Sequence, residues 1–224
     1  MYQILHQTSD VLVINKPPGI SVHKDTAASG LVMDLKSEMG LQDLYLVHRL
    51  DKVTSGVMVL ALNSEVAADL AEQFRNREIE KYYLALSDKK PRRKQGAVIG
   101  DMDKARRGGW KLLRSRNNPA ITQFFSTSVK PGLRLFLVKP ATGKTHQIRV
   151  ALKSEGAPIL GDSTYGATEA DRAYLHAYAL AFKIKGQSFR FSCLPDIGDN
   201  FDQQCLDLIA EKYNQPENLK WPAV

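Results

Sequence analysis

The segment from His48 to Gly56, HRLDKVTSG, lies between two apolar runs, Leu44 to Val47 and Val57 to Leu62. Both runs have to be buried, so the polar residues between them are forced into a loop at the edge of a core. A carboxylate held there, Asp51, is partly withdrawn from water and needs a cation or hydrogen-bond donors to stay ionised. Arg49 and Arg149 are candidate partners. Taken alone, an H-R-L-D tetrapeptide reads as a salt-bridged aspartate that fixes a turn.

The rest of the chain alternates short apolar runs with turn signals. Val11 to Ile14 reads as a buried strand ended by the turn residues Asn15-Lys16-Pro17-Pro18-Gly19. Leu31 to Met39 reads as a short helix closed by Gly40, and Gly56 to Leu62 as a second buried strand. Asn63 or Ser64 caps the next helix, where Val66, Leu70 and Phe74 recur every four residues beside Ala67 and Ala71. Tyr82 to Leu86 is a strand. Ile121 to Thr127 and Leu133 to Val138 form a hairpin around Pro131-Gly132. Thr145 to Ser154 is read as a helix with Ile148, Ala151 and Leu152 on its packed face and Gly156 just beyond its end. Arg149 follows Ile148 by about 100° and is expected to point off that face. Phe182 to Ile184 and Phe189 to Ser192 form a further hairpin, and a last helix is expected from Phe201 to Tyr213. Strands and helices are mixed without β-α-β regularity, which argues for an α+β fold. No linker divides the chain, and the 43% apolar content of 224 residues is enough for one large domain with its own core.

Charge is unevenly distributed. Lys89 to Arg116 holds eleven Lys or Arg against two Asp, a local charge of +9, whereas the whole chain carries +7, so the remainder is about −2. The basicity is therefore local, as a contact for a polyanion such as nucleic acid requires. A solvated loop without a partner would carry the same composition. The stretch, about residues 89–118, has little periodicity and is read as a basic insertion with at most short strands.

Several chemistries are excluded or unsupported. Gly143-Lys144-Thr145 resembles the end of a phosphate-binding loop, but the motif needs glycine at position 138, which is Val. A nucleotide-dependent phosphotransferase fails on that residue. No G-x-G-x-x-G, G-x-S-x-G or C-x-x-C is present. The histidines, at 6, 23, 48, 146 and 176, show no H-x-x-x-H spacing, so neither a metal nor another cofactor is expected. Cys193 and Cys205 give no disulfide framework and read as reduced thiols. The start, MYQILHQTSD, is unlike a secretory signal, and no apolar run of membrane-spanning length occurs, so the expected location is the cytoplasm.

Read together, several blocks resemble the RluA-type family of RNA pseudouridine synthases. They are Asp10 to His23 (DVLVINKPPGISVH), His48 to Leu62 (HRLDKVTSGVMVLAL), Lys81-Tyr82-Tyr83, Thr142 to Val150 (TGKTHQIRV), Pro158 to Gly166 (PILGDSTYG) and Leu175-His176-Ala177. The resemblance runs from about Asp10 to Cys193. It implies one catalytic domain over residues 1–224, with a mixed, mainly antiparallel central sheet flanked by helices and loops, and no S4-like domain ahead of it. It implies that Asp51 is the catalytic aspartate, that Tyr83 stacks on the target base, and that Arg149 pairs with the aspartate. Arg49 matches an arginine that helps fill the space left by the flipped nucleotide, and His48 is either a substrate contact or a support for the loop. Two departures stand out: Lys144 where Arg is common, and Ala151 where His is frequent. They bear on phosphate contacts and helix packing.

The implied reaction breaks the C1′–N1 bond of a uridine, turns the base and forms a C1′–C5 bond. It needs no redox change and no external energy. A uridine in a stem-loop has to leave its stack first, at a cost of a few kcal/mol, and stacking on an aromatic ring returns roughly 1–3 kcal/mol. Tyr83 suits that role, while Tyr82 points to the opposite face and into the core. Arg92, Arg93, Arg106, Arg107 and Lys144 are then candidate contacts to the RNA backbone. The expected partner is a structured RNA, a stem-loop of rRNA or tRNA, bound by a monomer. The competing reading is a non-catalytic RNA-binding or RNA-folding protein on the same scaffold.

Overall fold

The computed structural model describes residues 2–22 and 30–224, and of Arg107 the backbone only; His23, in the first family-like block, falls outside the described residues. The chain forms two compact units, Met1–Glu80 with Ala177–Cys193, and Lys81–His176 with Leu194–Val224. Two of the three boundaries fall inside strands, and the third follows Cys193.

The first unit contains β1 (Gln3–Gln7), β2 (Val11–Lys16), α1 (Leu31–Glu38), β3 (Tyr45–Leu46), β4 (Ser55–Ala61) and α2 (Ser64–Asn76). Every residue of β2 and β4 is buried, which explains their continuous rather than alternating apolar pattern. The two strands pair antiparallel from Val11 opposite Ala61 to Lys16 opposite Gly56, and β1 pairs antiparallel with the other edge of β2. The Asn63 side-chain Oδ1 accepts the Val66 N–H at 2.9 Å and so caps α2, as the sequence predicts. Val66 and Leu70 then pack on Val11, Val13, Val57 and Val59.

The second unit contains most of β5 (Glu80–Ser87), then β6 (Gln95–Gly100), β7 (Met102–Lys104), β8 (Trp110–Leu112), β9 (Ala120–Lys130), β10 (Leu133–Pro140) and α3 (Gln147–Ser154). Its main strand order is β5-β10-β9-β6, all antiparallel, and β7 and β8 form a separate two-stranded ribbon. The chain then runs through β11 (Leu175–Ile184), whose residues from Ala177 onward belong to the first unit, and β12 (Gln187–Ser192). These two make the expected hairpin; Lys185 (φ 50°) and Gly186 (φ 80°) form its two-residue turn. The last helix, α4 (Gln203–Lys212), returns to the second unit. The architecture is α+β, as expected, with antiparallel strand pairing in each unit and four α-helices among the described residues.

Several boundaries differ from the sequence expectations, among them that of β11, which begins at Leu175 rather than Phe182. The basic stretch contributes a six-residue strand, β6, that pairs with β9 along its whole length, so only the part beyond it stands apart as a ribbon. The helix expected from Thr145 begins at Gln147, because His146 adopts a left-handed conformation (φ 57°) and Gln147 turns its side chain back to the preceding loop. The last helix begins at Gln203, where Asp202 accepts the Cys205 N–H at 3.0 Å. Neither Cys193 nor Cys205 is bound in a disulfide, as the sequence suggests, and burial pushes the Cys205 thiol up to about 12.

Candidate active site

In the first unit, Asp51 sits at the head of a turn in which its carbonyl accepts the Thr54 N–H at 3.0 Å. Leu50 is buried, Arg49 is exposed and Asp51 is half-buried, the partial desolvation its place between two apolar runs implies. The loop is held from an unexpected direction. Lys16, at the end of β2, has no exposed surface. Its ammonium donates to the Pro17 carbonyl at 2.8 Å and the Ile20 carbonyl at 2.9 Å, with a longer 3.5 Å contact to the carbonyl of Lys52, the residue after Asp51. The Gly19 N–H donates to the same Lys52 carbonyl at 2.8 Å, from a left-handed conformation (φ 84°). The Pro-Pro-Gly turn and the Asp51 loop are therefore stitched together by one buried cation and one glycine. A buried charge survives only where its protons are taken up, and here backbone carbonyls take them.

His48 anchors the other side of the loop. Its Nε2 accepts the Val59 N–H at 3.1 Å, and its ring stacks on Phe74 of α2 at 4.6 Å with 19° between planes. A backbone N–H only donates, so this nitrogen is unprotonated in the bonded state.

In the second unit, the loop before α3 is organised by Gln147. Its Oε1 accepts the Thr142 hydroxyl at 2.7 Å and the Lys144 N–H at 3.0 Å, and its amide donates to the Ile121 carbonyl at 2.9 Å and the Thr122 hydroxyl at 3.0 Å. Every side-chain polar atom of Gln147 is thus used to hold this loop on β9. Lys144 reaches Asn118 through its ammonium at 2.9 Å.

Arg149 is not on an open face as its spacing suggested. Gln147 to Leu152 are all buried, and Arg149 is 4% exposed. Its Nε donates to Asp162 Oδ2 at 2.7 Å, its Nη2 to Asp162 Oδ1 at 2.8 Å, and Nη2 also to the Thr164 hydroxyl at 3.0 Å. This two-point bond fixes the plane of the guanidinium as well as its position. Its carbon lies 5.1 Å from the centre of the Tyr165 ring. Tyr83 is half-buried on β5, opposite Val138 of β10. Its neighbour Tyr82 is 1% exposed and packs on Trp221 at 5.8 Å, the division of faces expected for consecutive strand residues. Lys81, whose ammonium lies 3.4 Å from the Thr142 carbonyl, has its pKa lowered by burial.

The candidate RNA-contact arginines are not equivalent. Arg92 and Arg106 are exposed. Arg93 is instead paired with the buried Glu155 and donates to the Ala97 carbonyl, and its pKa is raised by the bond to Glu155. The Arg107 side chain falls outside what is described. Lys16, Gln147, Asp162 and Tyr165 were not singled out from the sequence. All four lie inside family-like blocks but carry no spacing signal of their own; Lys16 is marked in addition as a lysine closing an apolar strand.

Among the described residues no group of His, Cys, Asp and Glu is placed to hold a metal, and no helix is long and apolar enough to cross a membrane.

Comparison with known proteins gives the class, that of RNA pseudouridine synthases. The model of the RNA pseudouridylate synthase family matches residues 10–154, the stretch that holds Asp51, Tyr83 and Arg149. The chain is 52% identical over 198 residues to an RNA pseudouridine synthase, described as uncharacterized, of Haemophilus influenzae, covering 88% of each protein. It is 33% identical over 244 residues to tRNA pseudouridine synthase C of Pasteurella multocida, covering 92% of this chain and 94% of that one. It is also 33% identical over 204 residues to ribosomal large subunit pseudouridine synthase D of Borreliella burgdorferi, of which it spans 63% while 84% of this chain is matched. Among solved structures, human RNA pseudouridylate synthase domain containing 4 superposes with a TM-score of 0.73 at 28% identity, covering 92% of both chains. The chain belongs to the RNA pseudouridylate synthase family.

Proposed function

We propose that the protein converts uridine to pseudouridine in a structured RNA, with Asp51 as the catalytic carboxylate, Tyr83 as the ring that receives the flipped base and Arg149 as the cation that holds the aspartate ionised. The observation that carries this reading is the family match, which spans all three residues in one continuous stretch. The local geometry supports the roles of Asp51 and Arg149 through the rigidity of their settings. Asp51 heads a loop anchored by Lys16, Gly19 and His48, so its carboxylate is offered from a rigid base. Asp162 engages Nε and Nη2 of Arg149. Attack of the Asp51 carboxylate on C1′ and its removal of a proton from C2′ both use the same ionised group.

The proposed substrate is a stem-loop of ribosomal or transfer RNA, in line with the names of the Borreliella and Pasteurella relatives. Arg49 fills the space vacated by the flipped base, and the exposed cations of residues 89–116, together with Lys144, contact the RNA backbone. We propose that the enzyme works as a single catalytic domain and a monomer in the cytoplasm. Pseudouridine mapping of ribosomal and transfer RNA from cells with and without the gene tests the reading. It predicts loss of one or a few pseudouridines on deletion and their return with the wild-type chain; identical maps contradict it.

A further inference from the structure

Tyr165 carries more connections than a core tyrosine needs. It is 4% exposed, and its hydroxyl joins two separate elements: it accepts the backbone N–H of Trp110, the first residue of β8, at 3.1 Å, and lies 2.8 Å from Nδ1 of His146, the residue before α3. A phenol oxygen has the donor and acceptor capacity for both bonds at once. The His146 ring meets the Tyr165 ring edge-on at 5.7 Å, and it reaches it from a left-handed backbone uncommon for a residue other than glycine. Such a conformation persists where the surroundings over-determine it. The face of the same ring is shared by two cations, Arg149 at 5.1 Å and Lys153 at 5.4 Å.

The Trp110 end of this connection is the turn end of the basic ribbon, opposite Lys104. The turn between β7 and β8 carries Arg106 and Arg107 and is closed by the Ala105 N–H bond to the Gly109 carbonyl at 2.9 Å. Gly109 lies close enough that an added Cβ would sit 3.8 Å from the Tyr165 ring. One side chain therefore touches the ribbon through its hydroxyl and the arginine through its ring.

We propose that Tyr165, held by His146, is a positioning residue with two separable duties: its hydroxyl sets the β7–β8 ribbon against the RNA, and its ring sets the Arg149 guanidinium. The inference rests on the reading of Arg149 as the partner of the catalytic carboxylate and of the ribbon as an RNA contact. A phenylalanine at 165 keeps the ring and removes only the ties to Trp110 and His146. A leucine removes the ring as well.

The test measures tritium release from 5-tritiated RNA taken from cells lacking the gene, since forming the C1′–C5 bond expels the C5 proton to water. Y165F is expected to raise KM about tenfold, the size of one lost hydrogen bond, with kcat changed less than twofold. It is also expected to speed hydrogen exchange at the Trp110 amide by about the same factor. Y165L is expected to lower kcat about tenfold or more at equal folded fraction, as loss of a cation–π contact at a buried site allows. Unchanged KM and unchanged Trp110 exchange in Y165F overturn the proposal, and the exchange measurement decides the hydroxyl's role even if Y165L does not fold. D51N separates this inference from the reading beneath it. Tritium release by D51N sinks the assignment of the site, whereas the tie between Tyr165 and Trp110 is still judged by exchange.

Discussion

Arg149 and Asp162 are joined by two parallel bonds, Nε to Oδ2 at 2.7 Å and Nη2 to Oδ1 at 2.8 Å, with side-chain exposures of 5% and 2%. The pair turns a long flexible side chain into a fixed group. The proposed role of Arg149 requires such a fixed group, because an unrestrained guanidinium would lose much of its effect in side-chain motion.

Removing one member of this pair leaves the other charge buried and alone. D162A is expected to lower stability by about 3–5 kcal/mol, the usual cost of breaking a buried ion pair. Urea denaturation at neutral pH measures it. A loss below about 1 kcal/mol, within the range of exposed pairs, would show that Arg149 finds another full set of acceptors.

Lys16 makes a second, independent prediction. K16M keeps an apolar stem of similar length but strips the Pro17 and Ile20 carbonyls of their donor and loosens the Lys52 carbonyl. Stability should fall by roughly 2 kcal/mol or more, since unsatisfied buried carbonyls each cost about 1–3 kcal/mol. Pseudouridine formation should fall further than the folded fraction explains, because Lys52 follows Asp51 directly. Equal loss of fold and activity would reduce Lys16 to a stabilising residue.

The basic segment should not behave as a uniform field. Exposed Arg106 is expected to contribute about 0.7–0.9 to the slope of log affinity against log salt if it meets one phosphate. Arg93, already bound to Glu155, should contribute little to that slope when replaced by Gln and should lower thermal stability instead. Binding of R93Q and R106Q to the RNA across a salt series checks this; equal slopes for the two variants would contradict it.

A pH effect follows from Asp202. The bond from Lys130 at 2.6 Å, with a further one from the Cys205 N–H, holds this carboxyl below the usual carboxylate range. Its folded pKa is depressed, so its contribution to stability is complete above the ordinary carboxylate pKa and is lost as pH falls through the lower folded value. Both side chains are about a third or more exposed, so solvent screening keeps the effect to a fraction of about 1 kcal/mol. D202N keeps a capping side chain and removes the charge. Thermal melts between pH 6 and pH 3 should show a shallower acid decline for D202N than for the wild type. Parallel curves would show that the Lys130 pair is silent.

Much of the fold was legible because its signals are short-range. The Asn63 cap, the Pro131-Gly132 turn and the apolar runs of β2 and β4 each depend on residues within a few positions. Three features near the site were not legible for the opposite reason. The start of α3 is set by Gln147 reaching back to Thr142 and across to Ile121 and Thr122. The partner of Arg149 lies thirteen residues away, beyond the end of its helix. Lys16 read only as part of the turn that ends the strand, and the carbonyls that make its burial tolerable come from the turn itself and from the Asp51 loop. Asp51, Tyr83 and Arg149 were found through the order of family-like blocks. Periodicity alone placed Arg149 on an open face, whereas it is buried.

The central claim is that Asp51 performs the chemistry. The most direct measurement is pseudouridine formation by D51N, on RNA from cells lacking the gene, beside its affinity for the same RNA. The account predicts no product above background with RNA affinity within about threefold of wild type, because Asn keeps the shape and loses the ionised carboxylate. Product formation by D51N at a rate near that of the wild type would contradict it.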